Sequence, residues 1–157
     1  MDPRLAGMAR AVATAAVVVV LDQASKQIAV NSLSRGERTN VFFGLDLTNT
    51  RNQGVAFGAL EGGGLIVALL IGLALALVIG YFAMNAGRAW LWLPVGMLVG
   101  GALGNLADRA REGAVVDFID PMAWPAFNFA DASIVIGVLA LLYLLEGGGD
   151  EGRAARH

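Results

Sequence analysis

Apolar residues are concentrated in four long stretches of the chain, and polar segments separate these stretches from one another. Three of them cover residues 65–84, 89–108 and 127–145, and the first of these three has no charged residue. About 20 residues of α-helix cross the roughly 30 Å hydrocarbon core of a bilayer. The pattern therefore predicts a membrane-spanning helix in each stretch. Pro94 predicts a local kink inside the second of them.

The remaining apolar stretch lies near the N-terminus and is the shortest. Ala11 to Leu21 follows Arg4 and Arg10, an arrangement that is also typical of a secretory signal peptide. No small-x-small cleavage site follows it, and a helix can continue through the next polar residues to about Val30. We therefore favour a retained first span at residues 11–30 over a cleaved signal, which gives four spans in total.

Composition supports a membrane protein and says little about orientation. The chain is 57% hydrophobic and 15% charged, well below the roughly 25% of charged residues in soluble domains. Four spans place both termini on one side, and the basic residues favour the cytoplasm for them only when Lys26 and Arg109 are set aside as buried site residues. The net charge of −2 indicates no nucleic-acid partner. The absence of cysteine excludes disulfides and thiolate catalysis.

The polar segment after the first span predicts a small β-structure at the membrane surface, within residues 39–60. Residues 41–48 partly alternate between apolar and polar positions, and residues 55–57 are a candidate return strand. Residues 61–64 predict a flexible hinge into the second span. Residues 147–157 are rich in glycine and charge, so we expect a disordered tail after a single membrane-embedded domain at residues 1–146.

Polar side chains at the ends of the first and third spans share helix faces. Asp22 and Lys26 are four residues apart, so they form either an interfacial ion pair with a snorkelling lysine or an inward-facing pair that shapes a polar cavity. Asn105, Asp108 and Arg109 lie on one face at the end of the third span. The amide of Asn105 lies deepest and needs hydrogen-bond partners. Glycines at positions 96, 100 and 104 permit close approach of another helix.

Asp117 and Asp131 are the most informative polar residues, because each interrupts an apolar segment at a membrane boundary. Asn128 and Asp131 alone are explained by a capping box at the start of the fourth span. Asp117 lies on the other side of the same connection, and antiparallel packing of the third and fourth spans would bring the two carboxylates together. Such a pair shares one proton, so that one member activates a water while the other protonates the leaving group.

Other chemistries have weaker support in the sequence. Ser25 and Lys26 are adjacent and do not face each other on a helix, and the sole histidine is His157. A hard cation bound only by aspartates is conceivable; the candidates are Asp108, Asp117, Asp120 and Asp131. Buried charges also mark ion pathways, so a small transporter or proton-relay protein is the main alternative. A structural four-helix scaffold is a further one.

Five motifs also carry a resemblance to a known family. They are Asp22-Gln23-Ala24-Ser25-Lys26, Asn52-Gln53-Gly54-Val55-Ala56-Phe57, Gly104-Asn105-Leu106-Ala107-Asp108-Arg109, Val115-Val116-Asp117-Phe118 and Phe127-Asn128-Phe129-Ala130-Asp131. In these motifs and in their order the chain resembles the bacterial lipoprotein signal peptidases, also called signal peptidase II. Each motif is weak alone, whereas the ordered set is highly specific.

The resemblance implies an all-α polytopic inner-membrane protein with four spans, cytoplasmic termini, an outer β-structure between the first two helices and a site near the outer leaflet. It implies an aspartic endopeptidase without a cofactor or metal. Its substrates would be prolipoproteins, cut before a diacylglyceryl-modified cysteine in the phospholipid bilayer, and globomycin-type peptides would inhibit it. Asp117 and Asp131 match the catalytic pair. The residues that match site-lining or supporting positions are Asp22, Lys26, Asn52, Gly54, Asn105, Asp108, Arg109, Asn128 and Ala130.

Overall fold

The computed structural model describes the backbone of residues 1–53 and 63–154 and the side chains of residues 1–53 and 69–146. Within that part of the chain it contains four helices and a three-stranded sheet. In chain order the elements are α1 (Pro3–Ser32), β1 (Arg38–Phe42), β2 (Leu45–Asn52), α2 (Gly63–Asn85), α3 (Trp92–Glu112), β3 (Val115–Pro121) and α4 (Phe129–Ala154).

Two of these helices are long and apolar enough to cross a membrane, judged over the described residues. They are α1 and the Phe129–Glu146 part of α4, and only 17% of the apolar window in each is buried against protein. Apolar helices that bury so little of their surface are suited to lipid contact. In α2 the described apolar stretch is Leu69–Asn85, which is shorter than a full span. Of the four predicted spans, two therefore have the length and apolar character needed to cross a membrane, judged over the described residues.

The third helix differs from its predicted boundaries for a clear physical reason. α3 begins at Trp92, so Pro94 lies in its first turn and not inside the helix, and its missing N–H there costs no hydrogen bond within the helix. This position removes the reason for which a kink was predicted. The helix continues to Glu112 through a polar last part that contains Asn105 and Asp108, and Gly113 ends it in the left-handed conformation with φ of 71°.

The sheet contains a strand that the sequence reading missed. β2 pairs antiparallel with β1 on one side and with β3 on the other, so the order is β1-β2-β3. The sequence predicts no strand at residues 115–121, because a strand that is buried on both faces lacks the alternation of apolar and polar residues that marks a half-exposed strand. The predicted return strand at residues 55–57 lies outside the described residues.

Close helix packing around α3 depends on glycine. A Cβ at Gly100 would lie 2.7 Å from the carbonyl oxygen of Ala15 in α1, and a Cβ at Gly101 would lie 2.6 Å from the carbonyl oxygen of Ala130 in α4. At Gly104 a Cβ would lie 2.5 Å from Oδ2 of Asp22. The glycine stripe therefore holds α1 and α4 against α3, as its small-residue spacing predicted.

The segment from residue 147 also differs from its prediction, which was a disordered tail. The backbone of α4 stays helical as far as Ala154, whereas the sequence reading expected disorder from residue 147. Helical φ and ψ angles remain accessible to glycine at a cost of about 1 kcal/mol each. The residue types at positions 151, 153 and 154, which are glutamate, arginine and alanine, have high helix propensity. Residues 155–157 lie outside the described part of the chain.

Candidate active site

Asn128 connects the two candidate catalytic carboxylates. It lies directly before α4 and is fully buried. Its side-chain Nδ2 donates to Oδ1 of Asp117 at 2.7 Å, and its Oδ1 accepts from the backbone N–H of Asp131 at 2.9 Å. The backbone N–H of Asn128 donates in turn to Oδ2 of Asp131 at 3.2 Å. The capping box is therefore present, and the same cap brings Asp131 to Asp117.

Asp117 is held in a site that disfavours its ionised form. The residue lies on β3 and is only 2% exposed. Burial raises the pKa of Asp117 above the ordinary aspartate value, and the negative charge of Asp131 adds to that shift. Hydrogen bonds from Asn52, whose Nδ2 lies 2.9 Å from Oδ2, and from Asn128 oppose it, as does the positive charge of Lys26. Asp131 therefore lies close enough for its charge to act on Asp117.

Asp131 is oriented by Asn105, the amide that needed partners. Nδ2 of Asn105 donates to Oδ1 of Asp131 at 2.8 Å, while Oδ1 of Asn105 accepts from Nζ of Lys26 at 3.0 Å and from Nδ2 of Asn128 at 3.2 Å. Because two donors meet its oxygen, the nitrogen of this amide is directed toward the carboxylate. Asn105 therefore connects the buried ammonium group of Lys26 in α1 to the carboxylate of Asp131 in the first turn of α4.

Lys26 lies inside the protein rather than at the headgroups. It is 3% exposed, and its Nζ lies 2.8 Å from both Oδ2 of Asp22 and Oδ2 of Asp108. Of the two readings of the Asp22 and Lys26 pair, the structure matches the inward-facing one. A buried lysine with two carboxylates and an amide oxygen is well compensated for its lost hydration. Snorkelling is the wrong description of this side chain.

The two acidic partners of Lys26 bind backbone groups next to the two candidate catalytic aspartates. Oδ1 of Asp22 accepts from the N–H of Ala130 at 2.9 Å, and Oδ2 of Asp108 accepts from the N–H of Val116 at 3.1 Å. These contacts fix the residue before Asp131 and the residue before Asp117. Ala130 contributes its N–H and a small, fully buried side chain.

Gln23 belongs to this network although the sequence reading did not select it. Its Nε2 donates to Asp22, to Asp108 at 2.9 Å and to the carbonyl oxygen of Gly104, and its Oε1 accepts from Arg111 at 2.6 Å. The available signal was its place in the first motif, between Asp22 and Lys26. A neutral amide there was easy to overlook because it adds no charge.

Two predicted site residues are not part of this cluster as described. Arg109 is exposed near the end of α3, and its side chain makes no hydrogen bond or ion pair with the described residues. Its neighbour Asp108 points inward instead, because only Asp108 shares the buried stripe with Asn105. Gly54 lies outside the described residues.

The aspartates considered for a hard cation do not converge. Asp108 is bound to Lys26, and Asp120 lies 3.0 Å from Nη2 of Arg38 on the sheet. Among the described residues no group of three or more potential ligands has a geometry for a metal ion. Arg38, Thr50 and Asp120 instead line a cleft of about 460 Å³ along the sheet. Thr50 is the register partner of Asp117, so one residue that lines the cleft lies on the strand beside Asp117, although neither aspartate of the pair lines it.

Comparison with known proteins gives consistent matches. Residues 14–146 match the family described as signal peptidase (SPase) II. The lipoprotein signal peptidase of Syntrophomonas wolfei is 42% identical over 144 residues, which cover 88% of this chain and 95% of that protein. The lipoprotein signal peptidase of Halothermothrix orenii is 37% identical over 130 residues, covering 82% and 90%. A solved bacterial membrane enzyme has a TM-score of 0.78 at 33% identity, covering 86% of this chain and 91% of its own.

The match extends over all five motifs that carried the resemblance, and it confirms that resemblance. Similarity to a solved membrane enzyme, together with the lipid-suited surfaces of α1 and α4, identifies the chain as a membrane protein. The chain belongs to the signal peptidase II family.

Proposed function

We propose that the chain is an intramembrane aspartic endopeptidase that removes signal peptides from diacylglyceryl-modified prolipoproteins, cutting just before the lipidated cysteine. One observation carries the proposal: at the junction of β3 and α4, Asn128 joins the buried Asp117 to the half-buried Asp131, whose charge acts on Asp117. Family membership supports the substrate class, because its members are named for acting on lipoproteins.

The chemistry follows from one proton shared by two carboxylates. The ionised member removes a proton from a water as the water oxygen attacks the scissile carbonyl carbon, and the protonated member donates a hydrogen bond to the carbonyl oxygen. When the C–N bond of the tetrahedral intermediate breaks, the amine leaves with a proton from the pair. Asn52, Asn105 and Asn128 hold the carboxylates in place during both steps.

The remaining supporting residues act through the backbone. Asp22, Lys26 and Asp108 form a buried ion cluster that binds the N–H groups next to each aspartate. In this proposal their role is to position the pair, and Arg109 and Gly54 keep the site-lining or supporting roles that the family resemblance implies. The cleft along the sheet gives an extended peptide segment a path away from the pair.

The proposal places the enzyme in the bacterial inner membrane with four spans and cytoplasmic termini. The sheet and the aspartate pair then lie near the outer leaflet, where a lipid-anchored precursor arrives by lateral diffusion. Globomycin-type peptides are expected to compete for the same site, and no cofactor takes part.

The test is cleavage of a diacylglyceryl-modified prolipoprotein in detergent, followed by a gel shift. Asp117→Asn and Asp131→Asn should each lower the rate by about 10²-fold or more, because each removes one half of the acid–base pair. Glu112→Gln is the matched control, since Glu112 is an exposed partner of Arg51 outside the cluster and should leave the rate unchanged.

Near wild-type cleavage by either asparagine variant would contradict the assigned pair. An intact precursor after incubation with well-folded wild-type protein would contradict the proposed activity as a whole. The next assay would then be proton or ion flux in proteoliposomes, the behaviour expected of a transporter.

A further inference from the structure

Large apolar side chains are exposed at one corner of the sheet, away from the helices. Phe42, Phe43, Met122 and Trp124 form this apolar tip, with 73%, 93%, 84% and 70% of their surfaces exposed. Phe42 ends β1 and Phe43 lies in the β1–β2 turn, whereas Met122 and Trp124 follow β3. The N–H of Met122 donates to the carbonyl oxygen of Gly44 at 2.9 Å, so the two loops are joined. Contiguous exposed apolar surface of this kind marks an interaction site.

Part of the sheet lies beside the last turns of α1. Leu47 and Phe118 of the sheet line a cavity of about 240 Å³ together with Ile28 and Ala29 of α1. Ile28 precedes the helix end at Ser32 by about one turn. It is also 66% exposed, which places it on the lipid-suited surface of the helix. The sheet that carries the apolar tip therefore packs beside a lipid-suited surface of α1.

A second aromatic group marks the opposite end of the helices. Trp90 and Trp92 stack with ring centroids 6.1 Å apart in the connection before α3 and at its start. Gly7 of α1 packs against the carbonyl oxygen of Ala86 in that same connection. Between Gly7 and Ile28 the helix rises by about 32 Å at 1.5 Å per residue. This rise equals the roughly 30 Å thickness of a hydrocarbon core.

We propose that the apolar tip inserts into the outer-leaflet interface of the phospholipid bilayer and fixes the sheet at the membrane surface. Aromatic residues collect at both membrane interfaces. The part of α1 beside the tryptophan pair and the part beside the sheet are about one hydrocarbon thickness apart. Insertion buries the exposed rings among headgroups and upper acyl chains. It also holds the cleft along the sheet level with an anchored precursor. The inference rests on membrane embedding and not on the proposed peptidase chemistry.

The experiment uses the absence of native cysteine, which makes a single introduced cysteine specific. A nitroxide is attached to Phe43→Cys in full-length protein in vesicles of phosphatidylethanolamine and phosphatidylglycerol. Its accessibility to oxygen, which prefers lipid, is compared with that to a water-soluble nickel chelate. Ile28→Cys serves as the lipid-facing reference and Glu112→Cys as the exposed reference off the tip.

The proposal expects the label at position 43 to favour oxygen over the nickel chelate more than the label at position 112 does. It should lie shallower than the label at position 28. A value equal to that at position 112 would overturn the proposal in favour of a tip in water. Low accessibility to both reagents would overturn it in favour of a protein contact, such as a second copy.

A second measurement keeps the test independent of one variant. Trp90→Phe with Trp92→Phe leaves Trp124 as the only tryptophan. Lipids brominated near the headgroup should quench its fluorescence more than lipids brominated near the bilayer centre. Quenching by aqueous iodide without any effect of bromine would contradict insertion. Neither assay requires a cleaved substrate, so failure here is distinguishable from failure of the proposed activity.

Discussion

Asn128 has two roles at the residue scale, because it caps the start of α4 and also binds Asp117. The cap consists of two hydrogen bonds between Asn128 and Asp131, and the spacing of the two residues predicted it. What spacing alone did not reveal is that the same side chain also binds Asp117, because that contact depends on β3. A residue that satisfies a local rule and a long-range contact together looks ordinary in sequence.

Asp117 gives a prediction for the pH dependence of stability. Because burial raises its pKa in the folded protein, the native state holds this proton more tightly than the unfolded state. Its contribution to stability is complete below the ordinary aspartate pKa of about 3.9 and is lost as pH rises through the folded pKa. Asp117→Asn removes this titration. The stability of the wild type relative to Asp117→Asn should therefore fall as pH increases across that window.

Unfolding free energies of the two proteins in the same detergent, measured from about pH 4 upward, check this sign. Gly72→Ala is the control, since a Cβ there meets nothing within 4 Å, and it should displace the curve without changing its slope. Parallel stability curves for wild type and Asp117→Asn would contradict a raised pKa of Asp117. If the stability of the wild type relative to the variant rose with pH, the pKa of Asp117 would be lowered in the folded protein instead of raised.

At the element scale, the length of the apolar stretches predicted the helices well, whereas the alternation of apolar and polar positions predicted only part of the sheet. The helices were found because each carries a long apolar run, which is a signal within one segment. β3 was missed because a strand buried on both faces resembles any short apolar run until its partner is known. The pairing of β3 with β2 depends on residues far apart in the sequence, so no pattern within residues 115–121 could predict it.

The α1–α3 contact gives a prediction about helix packing. Gly100→Ala places a Cβ 2.7 Å from the carbonyl oxygen of Ala15, so the backbone of α1 must move. We expect a loss of about 1–3 kcal/mol in unfolding free energy, typical of overpacking. Gly72→Ala in α2 is the matched change in open space and should leave stability equal or higher.

Thermal or denaturant unfolding of both variants in one detergent distinguishes these outcomes. Equal stability of Gly100→Ala and wild type would mean that α1 does not approach the stripe as closely as described. A shift of the α1 backbone should also disturb Lys26, so the cleavage rate of Gly100→Ala is expected to fall together with its stability.

On the scale of the whole molecule, the two ends of α1 differ in their neighbours. The N-terminal part lies at the α2–α3 connection, where Gly7 contacts Ala86 and a Cβ at Gly87 would lie 3.6 Å from Cγ of Arg4. The C-terminal end carries the sheet and the aspartate pair. This separation makes membrane topology a sharp test, because sequence charges hardly distinguish the two sides.

Single cysteines at Arg35 and Ala89, both exposed, report on opposite ends of the helices. A membrane-impermeant maleimide added to intact spheroplasts should label Arg35→Cys and not Ala89→Cys, and inside-out vesicles should give the reverse. Labelling of both positions after detergent addition is the control for reactivity. If both cysteines are labelled from the same side, the chain between them, which contains α2, does not cross the bilayer and the four-span arrangement fails. If the pattern is inverted, the spans are kept but the aspartate pair faces the cytoplasm, where the proposed precursor would not reach it from the outer leaflet.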